Sequence, residues 1–164
     1  MGVVDAAGPD TSGFAPRDRV TWRDLPTSSG EPVELDELIL MPQNDVLGVP
    51  SWITDEQVVS YLGAGLIARS LVRTRPFVRG DEVRIVSTDP LVQEMTAAWA
   101  RSLGAQVVDR GGRFAIQDEP RIRRTELGSH GKLAQAAVEV FQAIRSGVFD
   151  GVRPIEGRRM GLAA

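Results

Sequence analysis

Four side chains in this sequence could give or take a proton in a small site. They are two carboxylates five residues apart, Asp89 and Glu94, the only tyrosine, Tyr61, and the only histidine, His130. Two carboxylates in one cleft can hold different pKa values, so that one serves as acid and the other as base. At positions 0 and +5 of a helix, however, Asp89 and Glu94 would point about 140° apart, which argues against direct pairing.

The residues around Asp89 predict a strand, a turn and a helix. We expect the strand at 83–86 and the helix from Pro90 to Leu103, ending before Gly104. Dinucleotide-binding proteins share this outline, and glycines in their turn let pyrophosphate approach the helix N-terminus. Here the turn has no glycine, and Asp89 and Pro90 have the residue types of an N-cap and a first helical residue. Two interpretations remain: a capped helix without a ligand, or a former cofactor cleft reused for another ligand.

The elements that would position these groups follow from periodicity and capping residues. Thr54 and Gln57 form a capping box that opens one helix, and Gly147 closes another, predicted over 132–146. Short strands are expected within 1–35, and further strands at 34–41, 105–108 and 113–117. His130 is expected in a loop. The helix after Asp89 has an apolar stripe, from which we expect Trp99 to face the sheet; it consists of Val92, Met95, Thr96, Trp99 and Leu103.

Composition restricts the class of protein. The chain has 164 residues, the size of one domain, with no cysteine and a net charge of −3. One histidine and no cysteine make a transition-metal site unexpected. No apolar run approaches a membrane span, and the first residues lack the basic start of a signal peptide. We therefore expect a cytoplasmic protein with no metal, no membrane partner and no nucleic-acid partner.

Five patches of the chain match patterns of one superfamily, in the same order. They cover residues 8–20, 50–71, 80–108, 111–114 and 141–148. Together they resemble the medium-chain dehydrogenase/reductase superfamily, nearest to its zinc-free quinone oxidoreductases and the enoyl reductase domains of polyketide synthases. The resemblance is to a strongly truncated and degenerate member, because members are usually much longer and Pro90-Leu91-Val92-Gln93 stands in place of their G-G-V-G.

The resemblance implies an α/β fold. Residues 1–50 would be a partial GroES-like β region, and residues 51–164 a reduced Rossmann-like sheet with flanking helices, forming one compact unit. Asp109 would end the second strand of that sheet, where the superfamily has an acid that binds a ribose hydroxyl; it is a weak cofactor-binding candidate. A sheet with so few strands leaves open edges, which favour a homodimer.

Three functions fit these expectations. The first is a tailoring enzyme of secondary metabolism that acts on a small, polyketide-like molecule by acid–base chemistry, with no cofactor. Its catalytic candidates are Asp89, Glu94, Tyr61 and His130. The second is an NAD(P)H-dependent quinone or enoyl reductase with an atypical loop. The third is a non-catalytic pseudoenzyme that binds a partner protein.

Overall fold

The computed structural model describes residues 1–22, 38–74 and 76–154, apart from the side chains of Pro120 and residues 123–125. The chain forms two compact units, one within residues 1–52 and the other from Ile53 onward. Over the described residues, helices and strands are mixed in an α/β arrangement, as the resemblance implied. No helix among these residues has the length and apolar character needed to cross a membrane.

The first unit contains a small antiparallel sheet. Its strands are β1 (Gly2–Val3), β2 (Arg19–Trp22) and β3 (Val46–Gly48), in the order β1-β2-β3. Val20 and Leu47 are its buried strand residues. The strand expected at 34–41 is wrong over its described part, because residues 38–41 form no strand; residues 34–37 lie outside the described residues. The third strand instead follows one turn of 3-10 helix at Gln43–Asp45.

In its described residues, the second unit is a three-stranded parallel sheet with helices. Along the chain come α1 (Asp55–Arg73), β4 (Glu82–Val86), α2 (Pro90–Ser102), β5 (Gln106–Val107), β6 (Phe114–Gln117), α3 (Pro120–Leu127) and α4 (His130–Arg145). Strand β4 lies in the middle, in the order β5-β4-β6, and pairs in parallel with both neighbours. The strands expected around 83–86, 105–108 and 113–117 are therefore confirmed, as is the helix that begins at Pro90.

The link from β5 to β6 is unusually short. Parallel strands normally need a crossover of a dozen or more residues, but here residues 108–113 suffice. Val83 in the middle strand pairs with Val107 on one side and with Phe114 on the other. The link therefore passes straight across a single strand and does not have to run along it. Gly112 lies at φ +88, and a Cβ there would come within 3.2 Å of the Glu82 carbonyl oxygen. The close passage over β4 thus requires a glycine.

Strand β4 alternates between buried and exposed residues. Val83 and Ile85 are buried in the core, whereas Glu82, Arg84 and Val86 are exposed. Parallel sheets usually have both faces covered and read as continuous apolar runs. Among the described residues, this sheet has helices against one face only, and its polar side chains lie on the other.

Helix α1 packs against α2, α3 and α4. Gly65 is the closest point: a Cβ there would lie 2.7 Å from Val140 Cγ1 of α4 and 3.3 Å from Met95 Cε of α2. One turn further, the buried Arg69 side chain makes two 2.9 Å hydrogen bonds to the Glu139 carboxylate and a 3.3 Å ion pair with Glu126. These ion pairs join α1, α3 and α4.

Three sequence expectations about helices need correction. Leu103 is 54% exposed, so it does not belong to the buried stripe of α2. Trp99 does not face the sheet; it is half-buried and meets Phe149 edge-on, with ring centroids 5.5 Å apart. His130 is not in a loop, because it is the first residue of α4, with Ser129 as the N-cap.

Candidate functional site

The turn after β4 holds the start of α2 with its own carboxylate. Asp89 is the N-cap, and its Oδ1 accepts hydrogen bonds from the backbone N–H groups of Leu91 (3.0 Å) and Val92 (3.5 Å). Pro90 is the first helical residue, as expected. The backbone groups that a helix N-terminus offers to an anion are therefore bonded to Asp89.

A second carboxylate lies beside this turn. Ser87 Oγ donates to Asp118 Oδ2 at 3.2 Å and accepts from the Asp89 backbone N–H at 3.1 Å. The Asp118 backbone N–H donates to the Val86 carbonyl oxygen. Asp118 was not among the candidates from the sequence, although a signal existed: it follows β6 as Ser87 follows β4. The ends of neighbouring parallel strands meet at one edge of a sheet, so the two residues meet there.

A cavity of about 1050 Å³ lies next to β5. One wall is α2, another is the end of β5, and the third is the segment after α4. Its charged and polar lining residues include Gln93, Glu94, Arg101, Ser102, Asp109 and Ser146, and its apolar ones include Ile85, Ala97, Ala98, Val107, Val148 and Val152. Two of the residues proposed from sequence, Glu94 and Asp109, thus line one cavity, whereas Asp89 does not line it.

Tyr61 lies at the third wall of this cavity. Its hydroxyl donates to the Val152 carbonyl oxygen at 3.0 Å, and its ring stacks on Phe149 with centroids 6.3 Å apart. Burial raises the pKa of the Tyr61 hydroxyl above 10.0, and the nearby Asp150 and Glu56 carboxylates raise it further. The phenol therefore stays protonated at neutral pH and holds the segment that carries Val152, which is a positioning role.

His130 lies away from the other candidates. It begins α4, whereas the cavity wall begins at Ser146, just beyond the other end of that helix. Fifteen residues of helix separate the two by roughly 22 Å. Within the described part of the chain, His130 Nδ1 is buried and has no hydrogen-bond partner. The structure therefore brings Glu94 and Asp109 together and places Tyr61 behind their cavity, but it does not bring His130 to them.

Among the described residues, no three His, Asp or Glu side chains cluster in a way that could hold a metal ion.

Two solved structures are similar to this chain. The quinone oxidoreductase of Pseudomonas syringae pv. tomato DC3000 matches with a TM-score of 0.66 and 15% identity, over 90% of this chain and 69% of that one. The Escherichia coli quinone oxidoreductase complexed with NADPH matches with a TM-score of 0.65 and 16% identity, over the same shares. No protein-family model and no curated protein matches the sequence. The similarity is one of fold, and it confirms at that level what the sequence patches implied: this chain has a quinone oxidoreductase-like fold.

Proposed function

We propose that this chain binds a small molecule without a nicotinamide cofactor and acts on it by acid–base chemistry. The observation that carries this proposal is the carboxylate of Asp89 on the N-terminus of α2. In dinucleotide sites that helix end receives the pyrophosphate.

Electrostatics supports the loss of the dinucleotide site. A pyrophosphate would have to displace Asp89 from the N–H groups of Leu91 and Val92. It would also bring its negative charge next to Asp89 and, beyond Ser87, to Asp118. Like charges repel, and the Asp89 carboxylate already interacts favourably with the dipole of α2.

The cavity beside β5 supplies the groups for acid–base work. Glu94 from α2 and Asp109 from the end of β5 both line it. With a molecule between them, one carboxylate can take a proton while the other, protonated, returns one at a second atom. Cyclisation, dehydration and isomerisation need this chemistry and no change of redox state. In this mechanism Asp89 holds α2 in place and Tyr61 holds the cavity wall at Val152. His130 takes no part in the reaction.

The class of substrate comes from the resemblance rather than from the cavity. The sequence patches resemble enoyl reductase domains of polyketide synthases, so we propose a polyketide-like molecule and a tailoring role in secondary metabolism. The lining contains both polar and apolar residues, which suits a molecule of mixed character.

Titration calorimetry with NADPH and NADH tests the proposal. We expect no heat of binding up to millimolar cofactor, because the Asp89 carboxylate already bonds to the N–H groups at the start of α2. The E. coli quinone oxidoreductase, which was solved with NADPH, is the positive control under the same conditions. A dissociation constant in the low micromolar range, equivalent to about −8 kcal/mol, would overturn the proposal.

We also propose that the chain forms a homodimer. Among the described residues the parallel sheet has three strands, so β5 and β6 both present an unpaired edge. Such edges favour pairing with another chain, and a second copy is the partner always present.

A further inference from the structure

We infer that the cavity beside β5 binds an elongated molecule with an amino group at one end and a carboxylate at the other. This inference rests on the proposed function, because it assigns two charged ends to the polyketide-like molecule that we propose for the same cofactor-free site. It is carried by three features: an open strand edge, a floor of small residues, and two opposite charges at a fixed spacing.

The open edge exists because β5 is short. Its pairing with β4 stops at Val83 and Val107. Main-chain groups alternate sides along a strand, and the Val83 carbonyl oxygen accepts from Val108 on the β5 side. The N–H and C=O groups of Ile85, two residues further on, therefore also point to the β5 side. At that position along β4 the strand β5 has already ended. Ile85 lines the cavity, so these groups can bond to a ligand there.

The floor of the cavity is a pair of small residues on α2. Ala97 and Ala98 line it, and they lie between Glu94 and Arg101 along the helix. Alanine leaves the space that a longer side chain would fill, so an apolar chain can lie along α2 at this point. Val107 and Val148 line the facing walls.

The charges divide the cavity into two ends. Glu94 and Arg101 are seven residues apart on α2, which corresponds to about 10 Å along the helix axis. Because α2 starts at the carboxyl end of β4 and runs back towards the start of β5, Glu94 lies at the same end as Asp109, which follows β5. Among the described residues, none of these three side chains has an ion-pair partner in the protein. One end is therefore acidic and the other basic, so the cavity fits an amine at the acidic end and a carboxylate at Arg101.

The test uses 8-aminooctanoate, whose amine and carboxylate are separated by a flexible apolar chain of suitable length. The full chain is titrated while its backbone amide NMR signals are followed. We expect saturable shifts at Ile85, along α2 between Glu94 and Arg101, and at Asp109. Octylamine and octanoate, which each lack one charged end, should bind at least about tenfold more weakly, because each loses a charge-assisted hydrogen bond.

Two matched substitutions locate the site. Ala98→Leu fills the floor and should abolish the shifts. Ala134→Leu, at a half-buried alanine on α4 that does not line the cavity, should leave them unchanged. Absence of binding by 8-aminooctanoate, equal binding by a one-ended probe, or undiminished binding to Ala98→Leu would each overturn the inference.

A parallel titration with NADPH separates this inference from the proposed function. Saturable NADPH shifts at Leu91 and Val92 would overturn the proposed function, since they would place a dinucleotide on α2. Failure of 8-aminooctanoate with no response to NADPH would overturn only the inference about the ligand class.

Discussion

Asp89 caps a helix and, in the function that we propose, also stands where an anion would otherwise bind. Its Oδ1 accepts from two backbone N–H groups of the first turn of α2. The capping hydrogen bonds need only an oxygen at this position, whereas the exclusion of phosphate that we propose depends on the charge. Substitutions that change one property at a time separate them.

Asp89→Ala should lower the free energy of unfolding by about 1 kcal/mol, the usual cost of losing an N-cap. Asp89→Asn should lower the free energy of unfolding by only a few tenths of a kcal/mol, because Asn caps as well as Asp. Urea denaturation of both variants and the wild type measures the difference. An equal loss in the two variants would show that the charge, and not the cap, stabilises the turn.

Glu139 links stability to pH. The hydrogen bonds from Arg69 lower the pKa of its carboxyl below the usual 4.5, with Arg73 acting in the same direction, against a smaller effect of burial. Because the folded pKa is lower than the unfolded one, the ionised form stabilises the fold. This contribution is complete above the unfolded pKa and is lost as pH falls through the folded pKa.

We therefore expect the wild type to be more stable than Glu139→Gln at neutral pH, and the difference to shrink as pH falls below about 4.5. Urea midpoints measured between pH 7 and pH 3 test this. The control is the same substitution in an Arg69→Met background, where the difference should be small and nearly flat. Parallel wild-type and Glu139→Gln curves down to pH 3 would contradict the pairing with Arg69.

Two glycines of α1 differ in whether another helix packs against them. Gly65 is buried against Val140 and Met95, whereas a Cβ on Gly63 would meet nothing within 4 Å. Both lie within a helix, where glycine costs up to about 1 kcal/mol relative to alanine. Only at Gly65 does a close approach of helices offset that cost.

Gly63→Ala should raise the free energy of unfolding by up to about 1 kcal/mol, through helix propensity alone. Gly65→Ala should lower it by about 1–3 kcal/mol, because the new methyl group would overpack against Val140 Cγ1. Thermal or urea unfolding of the pair gives both signs in one experiment. A gain in stability at Gly65 would mean that α1 and α4 separate more easily than their packing indicates.

Capping residues made the helix starts predictable from sequence. Most of the wrong predictions concern where a helix begins or ends without such a signal, and which strands lie side by side. Thr54 and Asp89 both cap as expected. The start of α4 was missed, because Gly131 in its first turn weakens the helix signal after Ser129. Leu103 fits the 3.6-residue period, but the chain leaves the helix there and turns at Gly104, which has φ +92. The local sequence pattern does not show where the chain leaves the helix.

The candidate site was less predictable than the fold. Glu94 and Asp109 were each identified, but their shared cavity depends on how far β5 extends along β4, which is set by pairing and not by composition. Asp118 follows β6 as Ser87 follows β4, but this signal becomes informative only once β6 is known to pair with β4. Nothing in the sequence distinguishes Arg69 from the other arginines, although it is only 5% exposed.

At the scale of the whole molecule, we expect the homodimer to be visible in solution. Sedimentation equilibrium at tens of micromolar protein should give twice the 17.8 kDa of one chain, because the open edges of the sheet favour association. Measurement over a dilution series gives the dissociation constant. A single species at the mass of one chain across that range would contradict the proposal.

The short link between β5 and β6 has a consequence for how the chain folds. Parallel sheets usually fold slowly, because their strands are far apart in sequence and the entropy of closing each loop must be lost before the strands pair. Here the parallel sheet of the described residues, with the helix between its first two strands, lies within residues 82–117. During synthesis, all three strands leave the ribosome before α4 does. The sheet can therefore acquire its native pairing early, whereas α1 reaches its final burial only when α4 arrives.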